Sequence, residues 1–186
     1  MSLTHSEVSN IHQMTLVGLM TAIICILAPF SFPLPFSPVP VSLGTLAVYL
    51  TAAILGLKKS FFSTLLYLLL GLAGLPVFTG FTGGIGKLLG PTGGYLIGYI
   101  FIALVSGYFA DYHSNHVIFL LTGMVLGTGL CYAFGTIWLS HSTELSLLTA
   151  LSTGVLPFLP VDIIKILIAS TIGLQIRKRL KKAALL

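Results

Sequence analysis

The residues of this chain best suited to chemistry lie in one run, Leu156-Pro157-Phe158-Leu159-Pro160-Val161-Asp162-Ile163-Ile164-Lys165. An acid and a base stand three residues apart in an otherwise hydrocarbon-like stretch. Pro160, with its fixed φ and no N–H, suits the first position of a helix. Asp162 then falls in the first turn, where the helix dipole favours an anion. At i and i+3, Asp162 and Lys165 share one face. A carboxylate and an ammonium placed together in lipid are costly and mark a substrate pathway. The pair is expected to form the core of a ligand site. The plainer alternative is an ion pair that locks the last helix to its neighbours, and the two roles are compatible.

The apolar setting follows from composition. Of 186 residues 56% are hydrophobic and 7% charged, against about 25% charged in soluble domains, and mean hydropathy is +1.06. Such a chain cannot solvate a globular surface, so it is expected to be an integral membrane protein forming one domain over residues 1–186. The net charge of +5 is no nucleic-acid footprint. Arg177, Lys178, Arg179, Lys181 and Lys182 crowd the end of the chain and read as a cytoplasmic anchor beside anionic lipid, a basic tail over 177–186. Cys25 and Cys131 fall in apolar spans and are expected to be core residues, not a disulfide. Residues 1–13 are polar but lack Lys and Arg, so no cleavable signal peptide is expected.

A membrane helix needs about 20 apolar residues. Six candidates appear, over residues 14–30, 41–57, 60–75, 95–110, 117–139 and 160–176. The Pro-rich 31–40 is expected to be extended, and the Gly-rich 80–94 irregular. Residues 111–116 and 140–144 read as short polar loops. Residues 145–155 are apolar but too short to cross, and read as an interfacial or re-entrant piece.

Six crossings put both termini on one side. With the basic tail cytoplasmic, Lys58 and Lys59 also fall inside, and Lys87 is left as the basic loop residue outside. Trp138 then sits where an aromatic belt is expected. The Pro-rich loop, the Gly-rich loop and the loop leading into Pro160 all lie outside, above the helix start that holds Asp162 and Lys165. Irregular backbone at membrane depth is tolerated where it lines a cavity, so an outward-opening small-molecule pocket is expected.

Other motifs weigh less. The Gly-rich run is no Walker A loop, because Phe81 and Leu88 replace the required Gly and Ser/Thr; the alternative of a flexible connector stands against Lys87 and Tyr95, which such a connector would not need. His113 and His116 beside Asp111 make a poor metal site, and no metal is expected. Gly18 and Ala22 have the small-xxx-small spacing that lets another helix approach closely, with internal packing and partner docking as equal alternatives. No Ser/His/Asp, Cys/His or HExxH constellation appears, so no catalytic residues and no ATP hydrolysis are expected.

The run Gly71-Leu72-Ala73-Gly74-Leu75-Pro76-Val77-Phe78, then Gly83-Gly84 and Leu89-Gly90-Pro91-Thr92-Gly93-Gly94-Tyr95-Leu96-Ile97-Gly98-Tyr99, resembles the BioY family. So do Leu156-Pro157-Phe158-Leu159-Pro160 with Asp162, Ile163-Ile164-Lys165, and Pro38-Val39-Pro40-Val41-Ser42-Leu43 leading into Thr45-Leu46. BioY proteins are the biotin-specific substrate-binding (S) components of energy-coupling factor (ECF) transporters. The resemblance covers nearly the whole chain. It implies an all-α, six-helix S component in a prokaryotic cell membrane that captures biotin from outside. It also implies a transmembrane coupling (T) component and two ABC-type ATPase subunits as partners, with biotin as transported ligand and no cofactor. Ile26 stands where the docking signature of such S components would place a further small residue after Gly18 and Ala22.

Biotin's ureido ring offers two N–H donors and a carbonyl acceptor. Asp162 can accept from an N–H and Lys165 can donate to the carbonyl, both charge-assisted. Phe81, Tyr95 and Phe158 are candidate walls for the rings and the aliphatic tail, with Gly84 in the loop above. Thr45, loop N–H groups and Lys87 are candidate donors to the carboxylate. An S component for another vitamin, a small membrane enzyme using Asp162 as general base, and a passive channel are the alternative readings.

Overall fold

Glycine and proline punctuate the chain, and the helices start and stop at them. The computed structural model describes residues 5–35, 37–112, 116–183 and 185, with side chains from residue 11 onward. Helix α1 (His5–Leu27) runs through the polar segment from residue 5 and stops ahead of Ala28-Pro29, where a residue preceding proline leaves the α region. The Pro-rich segment is extended as expected, and it closes on itself as a hairpin. Strand β1 (Ser31–Leu34) pairs antiparallel with β2 (Ser37–Ser42), with Ser31 opposite Ser42 and Phe32 opposite Val41. A two-stranded ribbon has only edge strands, so Pro33, Pro38 and Pro40 fit where a central strand would reject them.

Helices α2 (Gly44–Leu55) and α3 (Leu57–Leu72) are separated by Gly56 alone, at φ +77°. A side chain there is excluded twice: the backbone is left-handed, and a Cβ would lie 1.9 Å from Asp111 Oδ1. The break therefore precedes Lys58-Lys59, which open α3 instead of ending the span before it. The Gly-rich run contains a short helix α4 (Ile85–Leu89). Its backbone is tied down: Gly84 N–H donates to Gly71 O at 2.7 Å, Gly80 N–H to Pro29 O at 2.9 Å, and Phe78 N–H to Thr82 O at 2.8 Å. Trp138 Nε1 donates to Gly90 O at 3.0 Å, fastening the run to α6. Flexible connector is therefore the wrong reading of this segment.

Helices α5 (Gly93–Tyr112), α6 (Val117–Thr143) and α8 (Leu159–Lys182) are long and apolar enough to cross a membrane; α2 and residues 11–27 of α1 are shorter apolar helices. Helix α6 continues through residues 140–143, expected as loop, and ends where Glu144 turns left-handed at φ 57°. Residues 145–155 hold the short helix α7 (Leu147–Gly154), capped by Ser146 Oγ accepting from Thr149 N–H at 3.2 Å. Helix α8 starts at Leu159, which places Pro160 second. It runs on through Arg177 to Lys182, six residues beyond the expected end, because basic side chains suit a helix C-terminus. His113 lies outside the described residues.

Helix α5 packs along α6, α2 lies against both α5 and α8, and α3 lies against α1 and α5. Lipid tails compete with apolar side chains, so membrane helices associate where small residues let backbones close up. The α5–α6 seam obeys this rule: a Cβ at Gly98 would sit 2.6 Å from Cys131 Sγ, and one at Gly94 would sit 2.3 Å from Trp138 Cβ. Tyr49, Tyr67, Phe78, Ile102 and Met124 are fully buried in the core, with Tyr67 edge-on to Phe78. Outward faces are apolar instead: Leu130 and Ile137 on α6, Ile164 and Leu167 on α8, each at least half exposed. Large exposed apolar area of this kind belongs against lipid or protein.

Candidate ligand-binding site

The starts of α2, α5 and α8 meet at one end of the bundle, and β2, α7 and the Gly-rich run close over them. The cavity between them, about 50 Å³, is lined by Thr45 of α2, Tyr95 and Tyr99 of α5, Tyr132 of α6, Phe158, and Asp162 and Lys165 of α8. Val39, Pro40 and Ser42 of β2 and Thr79 complete the side beneath the hairpin.

Asp162 and Lys165 are 5% and 6% exposed, a burial that both charges endure only because every near partner is polar. Lys165 Nζ donates to Asp162 Oδ1 at 2.8 Å, to Thr45 Oγ1 at 2.9 Å and to Ser42 O at 2.7 Å. An ammonium has three donors, so Lys165 is fully committed within the protein. Asp162 Oδ1 also accepts from Thr45 Oγ1 at 3.2 Å, and Oδ2 accepts from Tyr132 OH at 2.5 Å. Two oxygens offer about four acceptor positions, so the carboxylate keeps one for a ligand, on the Oδ2 side. The pair thus links α8 to α2, β2 and α6 while facing the cavity. The pair is at once a link between elements and part of the cavity wall.

Tyr95 is held by two glycines: a Cβ at Gly135 would lie 2.4 Å from the ring, and one at Gly154 would lie 2.4 Å from the hydroxyl. Its hydroxyl lies 3.5 Å from Thr136 Oγ1. Among the sequence candidates, Asp162, Lys165, Thr45, Tyr95 and Phe158 come together here. Three do not line the cavity. Phe81 is 60% exposed and edge-on to Phe30 at 5.4 Å. Gly84 sits ahead of α4 with open space about its Cα hydrogens. Lys87 lines a neighbouring cleft with Ser31, Ser37 and Thr82 that shares Pro40 and Thr79 with the cavity. Glycine-rich backbone gives sequence no means of aiming these residues, and the loop's own hydrogen bonds turn them away.

Sequence reasoning missed Tyr132, Tyr99 and the Ser42 carbonyl. A tyrosine inside an apolar span is a readable signal, because its hydroxyl needs a buried partner. The Ser42 carbonyl carries none, since any residue supplies the same backbone atom. Gly18 and Ala22 lie exposed on α1, with nothing within 4 Å of a Cβ placed at Gly18. Internal packing is thereby excluded for Gly18. Among the described residues no group of three or more His, Cys, Asp or Glu could hold a metal ion.

The model of the BioY family matches residues 2–182. Biotin transporter BioY2 of Lactococcus lactis subsp. cremoris is 38% identical over 172 residues, covering 92% of this chain and 93% of that one. Biotin transporter BioY of Thermotoga maritima is 40% identical over 166 residues, covering 89% and 96%. A crystal structure of the S-component for biotin from an ECF-type ABC transporter superposes with a TM-score of 0.86 at 33% identity, over 95% of each chain. With its buried Asp162–Lys165 network at the closed end of the same architecture, the chain belongs to the BioY family.

Proposed function

We propose that this chain is the biotin-binding S component of an ECF-type uptake transporter, a single domain of six membrane-crossing helices with both termini in the cytoplasm. The observation that carries the reading is the Asp162 carboxylate, buried, ionically paired and facing a cavity in a fold shared with the S-component for biotin. Asp162 Oδ2 receives a ureido N–H. Lys165, with three partners already, acts mainly by holding the carboxylate; it reaches the ureido carbonyl by exchanging its bond to Thr45. Tyr95 and Phe158 flank the rings and tail. Lys87, in the adjoining cleft, stands where the carboxylate of the valerate tail emerges. The Pro- and Gly-rich segments face outward in this arrangement.

Small-molecule sites enclose roughly 300–1,000 Å³, well above the 50 Å³ of this cavity. Capture therefore requires the cover to move. The two-stranded hairpin is the natural moving part, because it is held by few ladder bonds. Capture needs no chemistry from this chain. The family is one of transporter subunits, not enzymes, and ATP hydrolysis falls to the two ATPase partners.

Equilibrium binding of biotin to the purified single chain, with other vitamins as competitors, tests the assignment. Saturable binding displaced only by biotin-like ureido compounds supports it. Binding of a different vitamin in preference would replace the ligand and keep the fold. Tyr132→Phe removes one donor to a charged acceptor, a bond of about 1.5–3 kcal/mol. That loss falls on stability, and biotin affinity should fall several-fold as Asp162 Oδ2 loses the donor that orients it; unchanged affinity would remove Tyr132 from the site.

The exposed Gly18–Ala22 face is the proposed docking surface for the T component. Gly18→Phe fills open space on that face. Biotin binding by the isolated chain should stay as in wild type, while co-purification with the T and ATPase subunits is lost. Retained assembly would move the docking face elsewhere.

A further inference from the structure

The same three helices that build the cavity with their starts build a second cleft with their ends. The ends of α2, α5 and α8, joined by the start of α3, enclose a cleft of about 370 Å³. It is lined by Lys58, Lys59, Arg177 and Lys181 against a single carboxylate, Asp111. That carboxylate is already spent. Its Oδ1 accepts from Arg177 Nη2 at 2.6 Å and its Oδ2 from Leu57 N–H at 2.8 Å. Arg177 is 6% exposed. Its Nη1 is directed at the last carbonyls of α2, Ala53 O at 3.4 Å and Ile54 O at 3.3 Å, while its Nε is buried without a partner.

Arg177 and Asp111 therefore form a rigid, neutral floor that ties α8 to α2, α3 and α5. Above it stand three ammoniums, and among the described residues none has a carboxylate within 4 Å. Such a surplus of positive charge, in a cleft of small-ligand size between helix ends, matches an anion with several acceptor oxygens. We propose that this cleft binds a phosphate group, held by Lys58, Lys59 and Lys181 over the Arg177–Asp111 pair. Phosphate there joins the start of α3 to the end of α8, across the end of the bundle opposite the Asp162–Lys165 cavity. The group can belong to an anionic phospholipid headgroup or to a soluble phosphate. This inference stands independently of the biotin assignment.

The test uses the full chain in detergent, titrated with short-chain phosphatidylglycerol, short-chain phosphatidylcholine and inorganic phosphate, and read by native mass spectrometry and calorimetry. The cleft variant is Lys58→Gln/Lys59→Gln/Lys181→Gln. The control is Lys178→Gln/Arg179→Gln/Lys182→Gln, an equal loss of charge on α8 outside the cleft. Saturable binding of one phosphatidylglycerol per chain, about 100-fold weaker in the cleft variant and within a few fold of wild type in the control, establishes a lipid headgroup site. The same pattern with inorganic phosphate establishes a soluble phosphate site. Equal weakening in both variants, phosphatidylcholine bound as tightly as phosphatidylglycerol, or no binding to wild type would each overturn the proposal. Circular dichroism and thermal unfolding unchanged from wild type in both variants confirm that they are folded.

Discussion

Asp162→Asn should reduce biotin affinity about 100-fold or more, the upper range for a hydrogen bond to a buried charge. The substitution keeps size and shape. The carbonyl oxygen of the new amide can still accept from Lys165 and Thr45, and the Tyr132 hydroxyl can rotate to accept from its nitrogen. What disappears is the charge, and with it the free acceptor position facing the ligand. In its place the amide presents N–H groups toward the ureido N–H, donor against donor. Calorimetric titration of the purified variant is the measurement, with circular dichroism as the folding check. An affinity within threefold of wild type would sink the placement of the ureido ring against Asp162.

Lys165→Met should be the larger blow to stability. It leaves the Asp162 carboxylate 5% exposed with two hydroxyl donors and no counter-charge, and strips Ser42 O of its partner at 2.7 Å. Breaking a buried pair from one side costs about 3–5 kcal/mol. The double variant Asp162→Asn/Lys165→Met carries no unpaired charge. It should regain most of that loss, because replacing both members of a buried pair is often neutral. Biotin binding should remain absent in both. Thermal unfolding in detergent separates the cases. If Lys165→Met unfolds at the wild-type temperature, the ionic reading of the pair fails, and with it the account of how Asp162 is held ready.

Together the two variants split the roles. The division they test is one in which Asp162 meets the ligand and Lys165 acts mainly by holding the carboxylate in place. This division follows from donor arithmetic: three ammonium protons, three acceptors in the protein.

Much of this protein is legible in its sequence. The 7% charged content requires a non-aqueous surrounding, and the exposed Leu and Ile on α6 and α8 fill that role. Prolines 33, 35, 38 and 40 exclude a helix between α1 and α2 through φ and the missing N–H. The Asp162–Lys165 spacing places both side chains on one helical face, and the 2.8 Å contact is that geometry realised. These features are local, set by backbone torsions and helical periodicity within a few residues.

What lies beyond the sequence needs distant segments to meet. Thr45 and Tyr132 reach Asp162 from 117 and 30 residues away, and no spacing rule couples such positions. The loop candidates miss the cavity for the same reason. Glycine leaves φ and ψ open, so the direction of Phe81, Gly84 and Lys87 depends on bonds made to Pro29 and Gly71 on other elements. The basic end of α8 reads as an anchor beside anionic lipid, and Lys178, Arg179, Lys181 and Lys182 are exposed there. Arg177 is the exception. Local sequence shows five cations in a row of six, and only tertiary packing against Asp111 and the end of α2 singles out the one that is buried.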